Sequence, residues 1–423
     1  MNVLLIGGGG RESAIAWKIS QSKLLRTLYV SPGNGGTSDF GINVPSLSII
    51  EAIDFVKKNK VDLTIVGPEA PLTEGIVDEF RIRNLTIFGP TKSASKIEGS
   101  KIWAKDLFKK YSIPCAKSDQ FSDLKSSLEF FINNDPSEWV IKVNGIASGK
   151  GVFMPENLEE AREALTEIFV ENRFGKSGEK ILIEERLHGV EVSVFTLVNN
   201  NKVSNCIAAC DYKRIKDGDR GPNTGGMGAI SPPSFWNSDM ESKIKSNIIM
   251  PTVDAMINEG CSFTGVLFAG LIITKKGIKV LEFNCRFGDP ETQVFIPRIK
   301  SDLLEILLKY STSTLEENTH IELETIHSTG VVLASKGYPE KFALNKEIDG
   351  LSESNQEFGS IVFQAGTKSS NLSKIYTDGG RVLICVGLGK SYEESRELAY
   401  KKVESIKFDG MYYRKDIGEN RDI

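Results

Sequence analysis

The strongest constraint on this chain is a pattern that recurs through its first domain: an apolar run, a turn rich in glycine or proline, then a helical stretch. Asn2 to Ile6 is apolar and ends in Gly7-Gly8-Gly9-Gly10-Arg11-Glu12-Ser13, with a helical pattern from Ala14 to Ser20. Leu28-Tyr29-Val30 ends in Ser31-Pro32-Gly33-Asn34-Gly35-Gly36-Thr37. After the amphipathic stretch Ile49 to Lys58, Asp62 to Val66 ends in Gly67-Pro68-Glu69-Ala70-Pro71-Leu72, and Thr86-Ile87-Phe88 ends in Gly89-Pro90. Strands that alternate with helices pair in parallel and form a doubly wound sheet. Their loops then gather at the carboxyl edge, where bare helix N–H groups favour anions. A dinucleotide fingerprint needs a third glycine, and Glu12 stands there instead. No acid follows the second strand to hold an adenosine ribose, so a phosphate or sugar phosphate suits the crevice better than a nicotinamide cofactor. Glu69 reads either as a substrate ligand or as a helix-capping acid.

With 423 residues, the chain has room for about three domains of ~150 residues. A net charge of −4 gives no reason to expect nucleic acid or a membrane surface. No run approaches the ~18 apolar residues of a membrane span. The N-terminus enters directly into Val3-Leu4-Leu5-Ile6 without a basic segment, so no signal peptide is expected. Six scattered cysteines, with Cys206 and Cys210 spaced C-x-x-x-C, and three histidines argue against a zinc site. They suit reduced thiols in the cytoplasm. The chain stops soon after Tyr413-Arg414-Lys415, and no fused enzyme is expected there.

Four stretches carry chemistry. In Leu281-Glu282-Phe283-Asn284-Cys285-Arg286-Phe287-Gly288-Asp289-Pro290-Glu291-Thr292, strand alternation puts Glu282, Asn284 and Arg286 on one face. Leu281, Phe283 and Cys285 share the other. With Val266 to Ile273 before it and Lys275-Lys276-Gly277 between, this reads as a hairpin. A carboxylate and an amide oxygen are donors a hard Mg²⁺ accepts alongside substrate phosphates. Trp139 to Val143 is a strand with Lys142 among apolar neighbours, followed by the glycine-rich Asn144 to Val152, which is suited to covering a triphosphate but is no Walker loop. Lys180 to Glu185 is a strand, and Glu184 to Leu187 a crossing that could meet an adenine edge; His188 reads as a turn residue. Asp211 to Gly228 holds too much Gly, Asp and Lys for a packed element and reads as a long functional loop. Ser95 to Tyr111 reads as one helix, with Lys101 and Lys105 a turn apart, a pair that is most often a solvated face. After Gly330 to Ser335, Ile361 to Phe363 and Arg381 to Gly387, a helix from Tyr392 to Val403 completes a small lobe without a catalytic constellation.

The loops Gly7–Glu12, Ser31–Thr37, Val66–Leu72 and Ser148–Val152, with the strings Gly221–Gly228 and Glu282–Thr292, occur in the order found in the glycinamide ribonucleotide synthetases (phosphoribosylamine–glycine ligases), ATP-grasp enzymes of purine biosynthesis. The chain resembles that family over essentially its whole length. It has Asn144 where the family commonly has Asp, and Ser148 where the family commonly has Ala. The resemblance implies an N-terminal doubly wound domain over 1–115 for the sugar phosphate, a two-lobed ATP-grasp domain over 116–190 and 191–325, and a small C-terminal α+β lobe over 326–423. It implies ATP bound by Lys105, Lys142, Ser148, Gly149, Lys150, Gly151, Glu184, Glu185, Leu187 and Glu191. Mg²⁺ or Mn²⁺ would sit on Glu282 and Asn284. Arg286, Asp211 and Lys213 would serve catalysis. Glycine and 5-phospho-β-D-ribosylamine would meet Gly9, Gly10, Arg11, Glu12, Asn34, Gly35, Gly36, Thr37, Glu69, Pro71, Asn223, Thr224, Gly225 and Asp289, with the 5′-phosphate on the N-terminal glycine loops. A monomer or weak dimer is expected. The alternatives are an ATP-grasp ligase for another carboxylate or amine, such as a biotin-carboxylase-like or aminoimidazole-ribonucleotide-carboxylating enzyme; a nicotinamide-dependent oxidoreductase; and a non-catalytic nucleotide sensor.

Overall fold

The computed structural model describes residues 1–147, 151–312, 314–315, 319–351, 356–357, 359–370 and 374–419. Ser148, Gly149 and Lys150 lie outside the described residues.

The N-terminal sheet is parallel and five-stranded. Its order runs Ile42–Asn43, Thr27–Pro32, Asn2–Gly7, Leu63–Val66, Ile87–Phe88. The order reverses beside Asn2–Gly7, so the carboxyl ends of Asn2–Gly7 and Leu63–Val66 open the crevice where such sheets bind ligands. Alternation along the first strand sends Val3 and Leu5 into one core and Leu4 and Ile6 into another. Ser48 and Glu51 close a capping box that starts the helix Ile49–Asn59.

A second, antiparallel sheet has four strands, in the order Ser118–Phe121, Ile181–Glu185, Trp139–Val143, Val152–Phe153. One face carries Ile141, Val143, Ile181 and Ile183, packed against the helices Leu124–Ile132 and Leu158–Phe169. The opposite face carries Lys142 and Glu184, diagonal neighbours on adjacent strands.

The third sheet has ten strands. It runs from Gly277–Asn284 through Thr264–Thr274, Val190–Asn199, Ile207–Asp211 and Gly228–Ser231, then on through His327–Ala334, Arg381–Gly389 and Ser360–Gln364. The strands of the C-terminal α+β region therefore extend the sheet that carries the metal-binding candidates. Gly228–Ser231 and His327–Ala334 pair antiparallel from Gly228↔Val331 to Ser231↔Ser328. The helix Gly10–Ile19 and the segment Glu291–Phe295 pack in the core shared by the parallel sheet and this large sheet.

Three local expectations need correction. The helix read over Ser95 to Tyr111 is two helices, Lys96–Gly99 and Lys101–Lys110. Ser100 adopts an extended conformation between them, and its hydroxyl accepts from Trp103 N–H, which starts the second helix. The long loop read over Asp211 to Gly228 contains a hairpin, Arg214–Lys216 with Arg220–Asn223. Gly218 and Asp219 both take positive φ at its turn, a role that Gly and Asp fill cheaply. Leu281 leaves the apolar face. The register shifts so that Gly270 faces Glu282 while Leu271 faces Val280, which bulges Leu281 and seats Val280 with Phe283 and Cys285 in the core.

Candidate active site

Glu184 is 2% exposed, and its Oε2 lies 3.0 Å from Lys142 Nζ and 3.1 Å from Lys105 Nζ. A buried carboxylate needs such partners. Burial opposes its ionisation, but the two lysines outweigh that and hold its carboxyl below the usual range. Burial likewise works against the charged Lys142, and Glu184 and Glu282 raise it back above its ordinary value. Lys101, which the sequence reading placed on a solvated face, points inward: its Nζ donates to Gly145 O at 3.1 Å. Burial lowers its pKa against the pull of Glu282. Asn144 Oδ1 accepts from Ile102 N–H at 3.0 Å and from Ser100 Oγ at 3.1 Å, so it ties the start of the lysine-bearing helix to the four-stranded sheet.

Glu282 faces solvent from the large sheet. Desolvation would raise its carboxyl, but Lys101, Lys213, Lys142 and Arg286 hold it below the normal range. Lys213 Nζ pairs with Glu191. Burial works against the charged Lys213, yet Asp211, Glu191 and Glu282 raise its pKa well above the usual lysine value. Asp211, Glu191 and Ser193 share one sheet face, because Ser193 lies opposite Ala209 in the antiparallel ladder. Asn284 is buried, and its Oδ1 lies 3.3 Å from Arg286 Nη2.

Arg286 gathers the carboxylates. Its Nε lies 3.1 Å from Glu69 Oε2 and its Nη2 3.1 Å from Glu98 Oε1, while Nη1 donates to Phe287 O at 3.2 Å. Glu69 is the first residue of the helix Glu69–Glu74, with Pro71 tolerated in the first turn. Its carboxylate lies between Arg286 and Arg11, the latter at 3.9 Å. Arg11 also bonds Glu12 Oε1 at 2.7 Å and Phe287 O at 2.9 Å.

Two N–H groups of the first glycine loop have partners within the protein. Gly9 N–H donates to Glu12 Oε2 at 2.6 Å and Arg11 N–H to Asp289 Oδ2 at 3.2 Å, so internal carboxylates already occupy these helix N–H groups. Glu12 is 1% exposed. Asn34 is buried and its amide works inside the protein: Nδ2 donates to Gly8 O, Ser13 Oγ and Gln364 O, and Oδ1 accepts from Gly36 and Thr37. Gly35 N–H meets Thr367. These loops shape the crevice wall.

Asn223, Thr224 and Gly225 end the hairpin. Thr224 Oγ1 donates to Lys213 O at 2.7 Å. Gly225 N–H donates to Tyr338 Oη at 2.9 Å, and its carbonyl accepts from Arg381 Nη1 at 2.6 Å. Arg381 also pairs with Asp289 Oδ1 at 3.2 Å. The C-terminal region thus reaches the site through Tyr338 and Arg381. Neither carried a motif signal, because strand ends and single aromatic residues look structural in sequence. Glu185 turns to Lys279 at 3.7 Å. The N–H groups of Glu185 and Arg186 are taken by Lys117 O and Glu138 O at 2.9 and 2.7 Å, which narrows what the Glu184 to Leu187 crossing can offer a base.

A four-stranded sheet whose Glu184 meets its own Lys142 and Lys105 of the adjoining helix, set against a large antiparallel sheet that presents Glu282, Asn284 and Arg286, defines an ATP-grasp ligase. The chain matches the phosphoribosylglycinamide synthetase family in three parts: its N domain over residues 1–98, its ATP-grasp (A) domain over 99–292 and its C domain over 328–420. It is 45% identical over 425 residues to a phosphoribosylamine–glycine ligase of Caldanaerobacter subterraneus subsp. tengcongensis, covering 99% of each chain. It is 44% identical to that of Escherichia coli (strain K12), covering 99% of this chain and 98% of the relative. The crystal structure of the Thermotoga maritima phosphoribosylamine–glycine ligase superposes with a TM-score of 0.83 at 32% identity, covering 98% of this chain and all of that one. A biotin carboxylase domain from Hydrogenobacter thermophilus shares the fold alone, with a TM-score of 0.74 at 13% identity, over 97% of this chain and 91% of that one. The chain belongs to the phosphoribosylamine–glycine ligase family.

Proposed function

We propose that this chain joins glycine to 5-phospho-β-D-ribosylamine at the expense of ATP, giving glycinamide ribonucleotide, ADP and phosphate. The observation that carries the site assignment is the buried Glu184 carboxylate held by Lys142 and Lys105 at 3.0 and 3.1 Å, beside the large sheet that bears Glu282, Asn284 and Arg286. A carboxylate is a poor electrophile. An oxygen of the glycine carboxylate attacks the γ-phosphorus of ATP, ADP leaves, and glycyl phosphate forms. The ribosylamine nitrogen then attacks the carbonyl carbon, phosphate departs with the bonding pair, and the nitrogen loses a proton. Such transfers depend mainly on positioning and electrostatics. Lys105 and Lys142 meet the nucleotide phosphates, and the Glu184 to Leu187 segment with Glu191 surrounds the adenosine. Arg286 holds the glycine carboxylate, Asp211 its ammonium, and Lys213 the charge that develops between them. Arg11 is the cation beside the sugar-phosphate crevice, whose walls are the Gly9–Glu12 and Asn34–Thr37 loops, with Glu69, Asn223 to Gly225 and Asp289 around it.

Glu282 and Asn284 fit a divalent cation. Both present hard oxygen, and among the described residues no cluster of three or more His, Cys, Asp or Glu completes a metal cage, so phosphate and water would fill the remaining positions. Bound there, Mg²⁺ or Mn²⁺ supplies charge neutralisation at the phosphates. No described helix is long and apolar enough to cross a membrane.

The test is ADP release with Mg-ATP, glycine, and ribose 5-phosphate plus ammonia to form the amine in place, each component omitted in turn. ADP that appears only with all of them, together with the glycinamide ribonucleotide mass, supports the reading. ADP without a need for glycine or the amine would mean other substrates. Glu282→Ala should abolish metal-dependent turnover and leave the circular dichroism spectrum unchanged; full turnover in that variant overturns the metal assignment.

A further inference from the structure

Glu98 has no part in the chemistry described above, yet its carboxylate holds both Cys285 and Arg286. Its Oε2 accepts from Cys285 N–H at 2.8 Å and from Cys285 Sγ at 3.1 Å, and its Oε1 lies 3.1 Å from Arg286 Nη2. The carboxylate side chain is 9% exposed. Burial and Glu98 push the Cys285 thiol well up, so it stays a neutral donor to that carboxylate. The helix that carries Glu98, Lys96–Gly99, is separated by Ser100 alone from the helix that carries Lys101 and Lys105.

We propose that Glu98 is a positioning residue: it fixes Arg286 for the glycine carboxylate and ties it to the helix whose lysines face the nucleotide phosphates. The need for such a residue follows from charge. Arg286 is flanked by two carboxylates on different elements, Glu69 through Nε and Glu98 through Nη2. Phe287 O and Asn284 Oδ1 are neutral acceptors; with one charged partner a guanidinium is drawn to it, whereas two carboxylates on different elements fix the plane of the fork. Without Glu98, Glu69 draws Arg286 toward the sugar crevice and away from the glycine carboxylate. The Cys285 bonds matter because they anchor the carboxylate itself: one oxygen is held by the strand backbone while the other steers the guanidinium.

This inference rests on the reading that Arg286 binds the glycine carboxylate, and the experiment separates the two. Kinetic constants for glycine and ATP are measured for Glu98→Gln, Glu98→Asp and Arg286→Lys, with melting temperatures alongside. Glu98→Gln keeps the acceptor for Cys285 N–H and loses the charge on Arg286. It should raise the glycine KM by about tenfold, the weight of one charge-assisted bond, while the ATP KM stays within about twofold. Glu98→Asp, which keeps the charge but is one methylene shorter, should recover part of the loss. If Arg286→Lys raises the glycine KM and Glu98→Gln leaves it unchanged, the positioning role fails and the glycine reading stands. If neither variant moves the glycine KM, the glycine reading itself fails. If Glu98→Gln lowers the melting temperature and raises both KM values in parallel, Glu98 is structural only and the proposal is overturned.

Discussion

Glu291 is 4% exposed; its Oε1 accepts from Ser193 Oγ at 2.9 Å, and burial, then Asp211, push its carboxyl up to about 7. The folded state therefore keeps a proton that the unfolded chain gives up near 4.5. Between those values the native protein binds more protons, so this group's contribution to stability falls as pH rises through the window. A shift of that size corresponds to on the order of 3 kcal/mol. Urea unfolding at about pH 5 and about pH 8 should show wild type losing more stability than Glu291→Gln across that range; equal losses would mean that Glu291 is ionised throughout. At this scale the sequence was partly legible. Lys142 stood out because a charged residue inside a Val and Ile strand needs a partner, and Glu184 supplies it. Glu98, Lys101 and Arg381 did not stand out, since a charge on a short helix or at a strand start reads as solvated until the opposite wall is known.

The elements that carry the site are set by small backbone devices. Gly226 has a φ of +113°, and a Cβ there would overlap the Pro290 ring. The Asn223–Gly228 string can therefore lie against Asp289-Pro290 only with glycine at 226. Gly226→Ala should cost roughly 1–3 kcal/mol and depress turnover, because the displaced segment also carries Thr224 and Gly225. Differential scanning calorimetry and ADP release check this, and an alanine variant with unchanged melting and rate would show that the segment yields freely. The hairpin Arg214–Asn223 escaped the sequence reading because its strands are short and polar; only the Asp217-Gly218-Asp219 turn signals it. The bulge at Leu281 was hidden for a different reason. Strict alternation gives the right face for Glu282 and Asn284, and nothing in the residues marks the one that drops out of register. Four of the five strands of the parallel sheet, by contrast, were plain from their loops, since each ended in glycine or proline; the two-residue edge strand Ile42–Asn43 was too short to show a pattern.

Across the whole molecule, the three sequence regions share cores and a site. Helix Gly10–Ile19 of the N-terminal region packs in one core with Phe195 and Phe295 of the central region and Phe363 of the C-terminal region. Arg381 from the C-terminal third bonds Gly225 and Asp289. The architecture of each part could be read from sequence, but not the way they join, because long-range pairing such as Gly228–Ser231 with His327–Ala334 leaves no local pattern. That pairing means the last third completes a sheet begun by the middle third. A chain cut at Thr325 would expose two matching strand edges, one on each piece, each with unpaired backbone groups. Expressed alone, the larger piece should aggregate; expressed together, the two should find each other by strand addition and restore ADP release. Recovery of ADP release would make the two pieces a split reporter, with recognition carried by main-chain bonds between the two strands rather than by side chains.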